Sequence, residues 1–338
     1  MSLLEKLKKN TTIKDTAILA KSKFFAAKDM IQTKIPVVNV AFSGDLDGGF
    51  TPGLTMWAGP SKHFKTAFSL LMAKAYQDKY TDSVVLFYDS EFGTPQNYFT
   101  SFGIDMERVI HTPVTDVEQL KFDIMNQLQN IERGERVMIV IDSIGNLASK
   151  KEVEDALDQK SVGDMTRAKQ IKSLFRMVTP HLTLKDIPMV VVNHTYKEIG
   201  LYPKDIVGGG TGSYYSADNI YILGRQQEKD GTDLIGYNFI RIPVTVRFDG
   251  GISKYSGLLD MALESGHVTK PSMGWYAKVD RSTGAIDGKK WRIADTESPE
   301  FWDSILADED FKNWIRKTYQ FSSAMGNSEL TVDTDDEG

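Results

Sequence analysis

Two kinds of apolar pattern alternate along the first two thirds of the chain. Short runs with almost no polar interruption are GLTMWAG (53–59), SVVLFYDSE (83–91), RVMIVIDS (136–143), IPMVVVNH (187–194) and NIYILG (219–224). Between them lie longer stretches with apolar residues three and four apart: KTAFSLLMAKAYQDKY (65–80), DVEQLKFDIMNQLQNIERGE (116–135) and TRAKQIKSLFRMVTPHL (166–182). The first kind predicts strands buried on both faces, the second amphipathic helices. Strands alternating with helices in this way predict an α/β fold, a largely parallel sheet covered by helices.

Ahead of this region the spacing predicts a short helix, a polar break at Asn10–Thr12, a second helix ending near Met30, and then a strand in KIPVVNVAFSG (34–44). After about residue 250 the alternation stops. HVTKPSMGWYAKVDRSTGAIDGKKWRI predicts a small hairpin element, and ESPEFWDSILADEDFKNWIRKTY one or two closing helices. From Ser323 onward there are five acids and no base, the composition of a solvated tail. The expected organisation is an N-terminal segment (1–32), a core (33–252), a small α+β C-terminal domain (253–322) and an acidic tail (323–338).

Composition narrows the chemistry. With 41% hydrophobic and 25% charged residues among 338, the chain is an ordinary globular one. It has no cysteine, which excludes disulfides, thiolate zinc sites and a thiol nucleophile. MSLLEKLKKNTTIKD lacks the apolar run of a secretory signal, and no stretch is long enough to span a bilayer; the expected location is the cytoplasm. The formal net charge of -6 gives no general attraction to nucleic acid, so any such contact must use locally gathered bases.

In parallel sheets ligands collect at the carboxyl ends of the strands. Those ends here carry Asp89-Ser90-Glu91, Asp142-Ser143 and Asn193-His194. The first apolar run leads into GPSKHFKT (59–66), which nearly matches the phosphate-loop pattern G-x-x-x-x-G-K-[ST]. Lys65 and Thr66 stand at the right offsets from Gly59, and Phe64 replaces the final glycine. Such a loop points backbone N–H groups and a helix start at a polyphosphate. Asp142 has the place of a magnesium-orienting acid, Glu91 that of a carboxylate accepting a proton from an attacking water, and Asn193-His194 that of hydrogen-bonding sensors of a terminal phosphate. Taken singly, each also reads as an ordinary turn or surface residue; it is their placement at equivalent strand ends that points to a site.

A second signal is basic. Between Lys160 and Arg176 there are five bases and one acid. On a helix Lys169, Lys172 and Arg176 share one face, opposite Ile171, Leu174, Phe175 and Val178. This is either a solvated outer face or a phosphate-contacting one. Two loop-like segments, 149–164 and 195–212, directly follow strands that end at the candidate site, and the glycines at 208–212 imply mobility or close backbone approach.

GPSKHFKT, LFYDSEFGTP, VIDSIGNLASKKE, DMTRAKQIKSLFR, VNHTY and GGGTG occur in this order. Together they resemble the RecA family of homologous recombinases, most closely those of T-even-type phages, which share the F-K-[ST] ending. The resemblance covers nearly the whole chain. It implies a RecA-like P-loop ATPase that uses ATP and Mg2+, polymerises into helical filaments on single-stranded DNA and pairs it with a homologous duplex. By this resemblance Glu91 is the catalytic base. Gly59, Pro60, Ser61, Lys62, His63, Phe64, Lys65, Thr66 and Ala67 hold the phosphates, with Thr66 and Asp142 on the metal. Tyr98 stacks on adenine, and His194 stands where bacterial relatives carry a glutamine sensor. The segments 149–164 and 195–212 match the two DNA-binding loops; with the basic face of the helix between them, the expected DNA contacts are Lys160, Arg167, Lys169, Lys172, Arg176, Lys197, Lys204, Gly208, Gly209, Gly210, Thr211 and Gly212. The first thirty residues and the expected KIPVVNV strand match the part that docks on the next subunit. A phage single-strand-binding protein, a recombination mediator and a helicase are the implied partners, with no membrane involved. One departure stands out: the family carries a longer basic hairpin after the strand ending near Phe239, which reaches the neighbour's ATP, and here only Arg241 remains in that connection. The alternatives are a RecA-fold ring helicase and a nucleotide-gated filament protein with weak hydrolysis.

Overall fold

The computed structural model describes residues 2–13, 16–22, 28–158, 166–197, 205–209, 211–230, 233–239, 244–247 and 251–320. Lys160, Lys204, Gly210, Arg241 and the acidic tail lie outside them. The described residues group into two compact units. The first takes 2–33, 50–239, 246–247 and 251; the second takes 34–49, 244–245 and 252–320.

The first unit is built on a seven-stranded sheet. Its strands are β1 (Gly53–Gly59), β2 (Val84–Asp89), β3 (Val109–Pro113), β4 (Val137–Asp142), β5 (Pro188–Lys197), β6 (Asp205–Val207) and β7 (Asn219–Ile222). The order is β3-β2-β4-β5-β1-β7, with β6 antiparallel on β5 and the other pairings parallel. The uninterrupted apolar runs are the buried strands, as their pattern predicts. Leu54, Met56, Ile139, Ile141 and Val191 pack in one core with Leu174, Phe175 and Val178 of a long helix. Each such side chain stabilises the fold by roughly 1.5–3 kcal/mol.

The chain begins with α1 (Leu3–Asn10); of the expected second N-terminal helix the described residues contain one 3-10 turn, Leu19–Lys21. In the first unit α3 (Lys65–Lys79), α4 (Gln96–Ser101), α5 (Val117–Asn130), α6 (Lys150–Leu157), α7 (Thr166–Lys185) and α8 (Thr211–Ser216) follow the strands. Helix α6 occupies the first half of segment 149–164, expected to be loop. Its signature is the capping box of Ser149 and Glu152, the S-x-x-E pattern of a helix start. No helix among the described residues is long and apolar enough to cross a membrane.

In the second unit KIPVVNVAFSG corrects the strand expected there: Pro36–Ser43 is helix α2. Pro36 at its first turn and Gly44 at its end, with φ 70, are helix start and stop signals. Burial of Val37, Val38 and Val40 outweighs the weak helix preference of valine. This helix lies against α11 (Glu309–Tyr319), joined by Arg316 to Asp45 and Lys312 to Asp47, both at 2.8 Å; that packing takes 34–49 out of the expected core. The expected hairpin is a three-stranded antiparallel sheet of β12 (Val268–Ser272), β13 (Trp275–Lys278) and β14 (Trp291–Arg292). The closing helices are α10 (Pro299–Ala307) and α11, with Phe301 and Trp302 fully buried.

Gly212 shows why the glycine run ends as it does. A Cβ there would lie 2.6 Å from both Cα and Cβ of Lys172, so α8 sits directly on the backbone of α7. Gly212→Ala forces the two helices apart and is expected to cost about 1–3 kcal/mol, read by urea unfolding; unchanged stability would contradict the close approach.

Candidate active site

Helix α3 starts where the phosphate-loop pattern places it. Its first backbone bond runs from Phe68 N–H to Phe64 O at 3.3 Å, so the amides of its first turn project from the helix end. Phe64 has φ 56 and Lys62 φ 61. This is the left-handed conformation that glycine adopts without strain, which explains the glycine of the usual pattern and shows that phenylalanine here keeps the loop's shape at a steric cost. Trp57 of β1 packs on the first turns of α3, stacked at 4.6 Å on Phe68, and lies tilted at 4.6 Å against Tyr221 of β7. Within the loop, His63 Nδ1 lies 2.9 Å from Ser61 O, and Ser61 and Lys62 are exposed. The Lys65 ammonium folds back to Pro60 O at 2.8 Å; burial pushes it down, against the pull of Glu91 and Asp142. Ala67 is fully buried, so what it can offer a ligand is backbone.

Asp142 and Asp89 end adjacent strands in register, and both are almost fully buried. The Thr66 hydroxyl donates to Asp142 Oδ2 at 2.6 Å, while Oδ1 is buried with no hydrogen-bond partner. Burial, with the charges of Glu91 and Asp89, pushes the Asp142 carboxyl up to about 6 although the Thr66 bond and Lys65 pull it down. A buried carboxylate with one oxygen unanswered beside a helix-start hydroxyl fits a hard divalent cation such as magnesium. Tyr98 lies on α4 close enough that Asp142's charge adds to burial in raising its phenol.

Glu91, Ser143 and His194 form one cluster. The Ser143 hydroxyl donates to Glu91 Oε1 at 2.6 Å, His194 Nε2 lies 3.0 Å from the same oxygen, and Ser90 Oγ donates to Ser143 O at 2.7 Å. The peptide joining Asp142 to Ser143 is cis. The His194 hydrogen bond holds the Glu91 carboxyl down at about 2, against desolvation and aided by Ser143 and the charges of His194 and Lys65. A carboxylate held so low accepts a hydrogen bond from water but retains a proton weakly. Ser143 had no role in the sequence reading, where only its place after a strand marked it.

The cluster continues into the β5–β6 hairpin. Asn193 Oδ1 accepts from His194 N–H at 2.8 Å, its Nδ2 donates to Gly208 O at 2.8 Å, and Gly208 N–H donates to His194 O at 2.8 Å. A Cβ on Gly145 would meet His194 Cδ2 at 2.3 Å, so the turn after β4 lies under the imidazole. Among the expected DNA contacts, Lys169, Lys172, Arg176 and Lys197 are exposed, and Gly208 and Gly209 directly follow β6. Arg167 is placed differently. Its guanidinium donates to the carbonyls of Leu147 (2.6 Å), Gly145 (2.5 Å) and Ile144 (3.3 Å), because carbonyls leaving the end of β4 need donors and the guanidinium fork supplies several. It fastens α7 to the turn after Asp142. Gly212 packs on α7 as described above, and Thr211 starts α8.

Two family models match: the RecA N-terminal domain over residues 30–247, and the C-terminal domain of the bacteriophage T4 recombination and repair protein over 255–315. The chain belongs to the RecA family. It is 49% identical over 351 aligned residues to the recombination and repair protein of Enterobacteria phage T4, covering 99% of this chain and 90% of that one. It is 27% identical to Protein RecA of a Nocardioides species, covering 68% of each chain. Protein RecA of Corynebacterium glutamicum is 28% identical, with 85% of this chain and 77% of that one covered. Membership implies nucleotide and magnesium use, and ATPase activity in general.

Because Glu91's folded value lies below its unfolded 4.5, its contribution to stability is complete above that pH and is lost as pH falls toward 2. The stability gap between wild type and Glu91→Gln is therefore expected to widen from about pH 2 to about pH 5 and to be flat above. Parallel curves over that range in urea unfolding would contradict the pairing.

Proposed function

We propose that this protein is an ATP-dependent, single-stranded-DNA-binding recombinase. It forms helical filaments and promotes homologous pairing and strand exchange in phage recombination, repair and replication, in the cytoplasm of the bacterial host. The observation that carries this reading is the connected path from Thr66 through Asp142, Ser143, Glu91 and His194 to Asn193 and Gly208. In this reading it joins the nucleotide site to the hairpin of the second DNA loop.

In this reading the first-turn amides of α3 and Lys65 take the β- and γ-phosphates, and Tyr98 stacks on adenine. Thr66 and Asp142 would hold magnesium, whose charge would offset that of the phosphates. Glu91 aligns the attacking water, and the hydrogen bonds of Ser143 and His194 fix the carboxylate for that task. His194 reports the terminal phosphate to Gly208. DNA lies along the exposed bases of α7 (Lys169, Lys172 and Arg176) and Lys197, together with the two loop segments that include Lys160, Lys204 and Gly210. Base pairing then supplies sequence recognition, so the protein contacts mainly phosphates. The N-terminal segment docks on the next subunit. A phage single-strand-binding protein, a mediator and a helicase are the expected partners.

One observation favours a second reading, a nucleotide-gated filament with weak hydrolysis. Strand β9 (Asp233–Phe239) is followed within a few residues by β10 (Thr245–Arg247), leaving no room for a long basic hairpin. The alignment to the phage T4 protein is also longer, at 351 positions, than the 338-residue chain, so that relative carries insertions.

ATP hydrolysis with and without single-stranded DNA separates the two. Strong stimulation by DNA at low salt, with DNA affinity falling steeply as salt rises, is the result expected of the recombinase. ATP binding without turnover in either condition would support the second reading, and salt-independent DNA binding would count against the loops and α7 as the DNA surface.

A further inference from the structure

Glu91 is also supported from the side away from Ser143 and His194. Asp89 is only 4% exposed, yet both its carboxylate oxygens are engaged. Oδ1 accepts from the backbone N–H groups of Glu91 at 3.0 Å and Phe92 at 2.8 Å. Oδ2 lies 3.2 Å from Nε2 of His111. Phe92 takes φ 53, unfavourable for a bulky residue, so the turn depends on those two bonds to keep its shape. His111 belongs to the edge strand β3, in register with Phe87. Its ring stacks on Phe87 with centroids 6.1 Å apart, and Phe87 meets Phe99 of α4 edge-on at 5.1 Å. Residues 87 and 89 share a sheet face, so a ring resting on Phe87 reaches Asp89.

We infer that His111 is a positioning residue for Glu91, acting through Asp89; this rests on the reading of Glu91 as the group that aligns the attacking water. His111 donates Nε2–H to Oδ2 and fixes the rotation of the Asp89 carboxylate. That rotation aims Oδ1 at the amides of residues 91 and 92. Without the donor, a buried carboxylate oxygen is left unanswered. Turning the carboxylate to answer it breaks the bonds that set the Glu91 backbone. Ser143 and His194 hold the Glu91 carboxylate and Asp89 holds its backbone, so losing either support misplaces the same atoms. Small misplacements are costly in an in-line attack.

His111→Phe keeps the ring on Phe87 and removes the donor, and His111→Gln restores a donor. Both are compared with Glu91→Gln and with the double variant carrying His111→Phe and Glu91→Gln, by single-turnover and steady-state ATP hydrolysis. The expected result is a kcat lowered roughly 10-fold by His111→Phe with KM for ATP unchanged, largely recovered in His111→Gln, and no further loss from His111→Phe when Glu91 is already Gln. In the nucleotide-free protein, Asp89→Asn is expected to move the imidazole 15N signal of His111 Nε2. A kcat untouched by His111→Phe while Glu91→Gln abolishes turnover would overturn this inference alone. So would a loss that persists in full on top of Glu91→Gln, or an Nε2 signal that Asp89→Asn leaves in place. Turnover that is absent, or indifferent to Glu91→Gln, would overturn both this inference and the reading of Glu91.

Discussion

Two like charges buried side by side are what the rest of the site answers to. Asp89 and Asp142 close neighbouring parallel strands in register, and both are almost fully buried. Burying a carboxylate is tolerable only when its oxygens are paired. Asp89 has two amides and an imidazole. Asp142 has the Thr66 hydroxyl on one oxygen and nothing on the other, and its carboxyl rises to about 6. That unanswered oxygen, beside the Thr66 hydroxyl at the start of α3, is what a hard divalent cation would fit.

Parallel topology then extends the demand to the loops. Every strand of the central run ends on the same edge, so Glu91 after β2, Ser143 after β4 and His194 on β5 come within hydrogen-bond reach although 103 residues separate the first from the last. From there the connections run to backbone groups. Asn193 and His194 hold Gly208, Gly145 lies under the imidazole, and Arg167 ties the turn after β4 to α7. These bonds connect the Glu91–Ser143–His194 cluster to Gly208 on one side and to α7 on the other.

Much of this was legible before any coordinates, for a physical reason. Strands buried on both faces read as unbroken apolar runs, and their polar final residues announce where a site lies. Other features were hidden where local pattern and tertiary demand diverge. Valines in KIPVVNV look like a strand until Pro36 and Gly44 are weighed as helix boundaries. Edge strand β3 has no fully buried residue, and Ile110, His111 and Pro113 are exposed, so it lacked an apolar run to announce it. Arg167 sits in a basic stretch that reads as a DNA-facing surface, yet carbonyls 22 and 23 residues away claim its guanidinium. Phe64 breaks the phosphate-loop pattern in sequence but not in shape, because φ 56 is attainable by phenylalanine at a cost.

Hydrogen exchange at the Gly208 amide tests whether nucleotide state reaches the β5–β6 hairpin through Asn193 and Gly208. The measurement compares wild type and Asn193→Ala, each with and without a non-hydrolysable ATP analogue and magnesium. The analogue is expected to slow exchange at Gly208 in wild type and to lose that effect in the variant, while analogue affinity is retained. Equal slowing in both proteins, or none in wild type at saturating analogue, would contradict it.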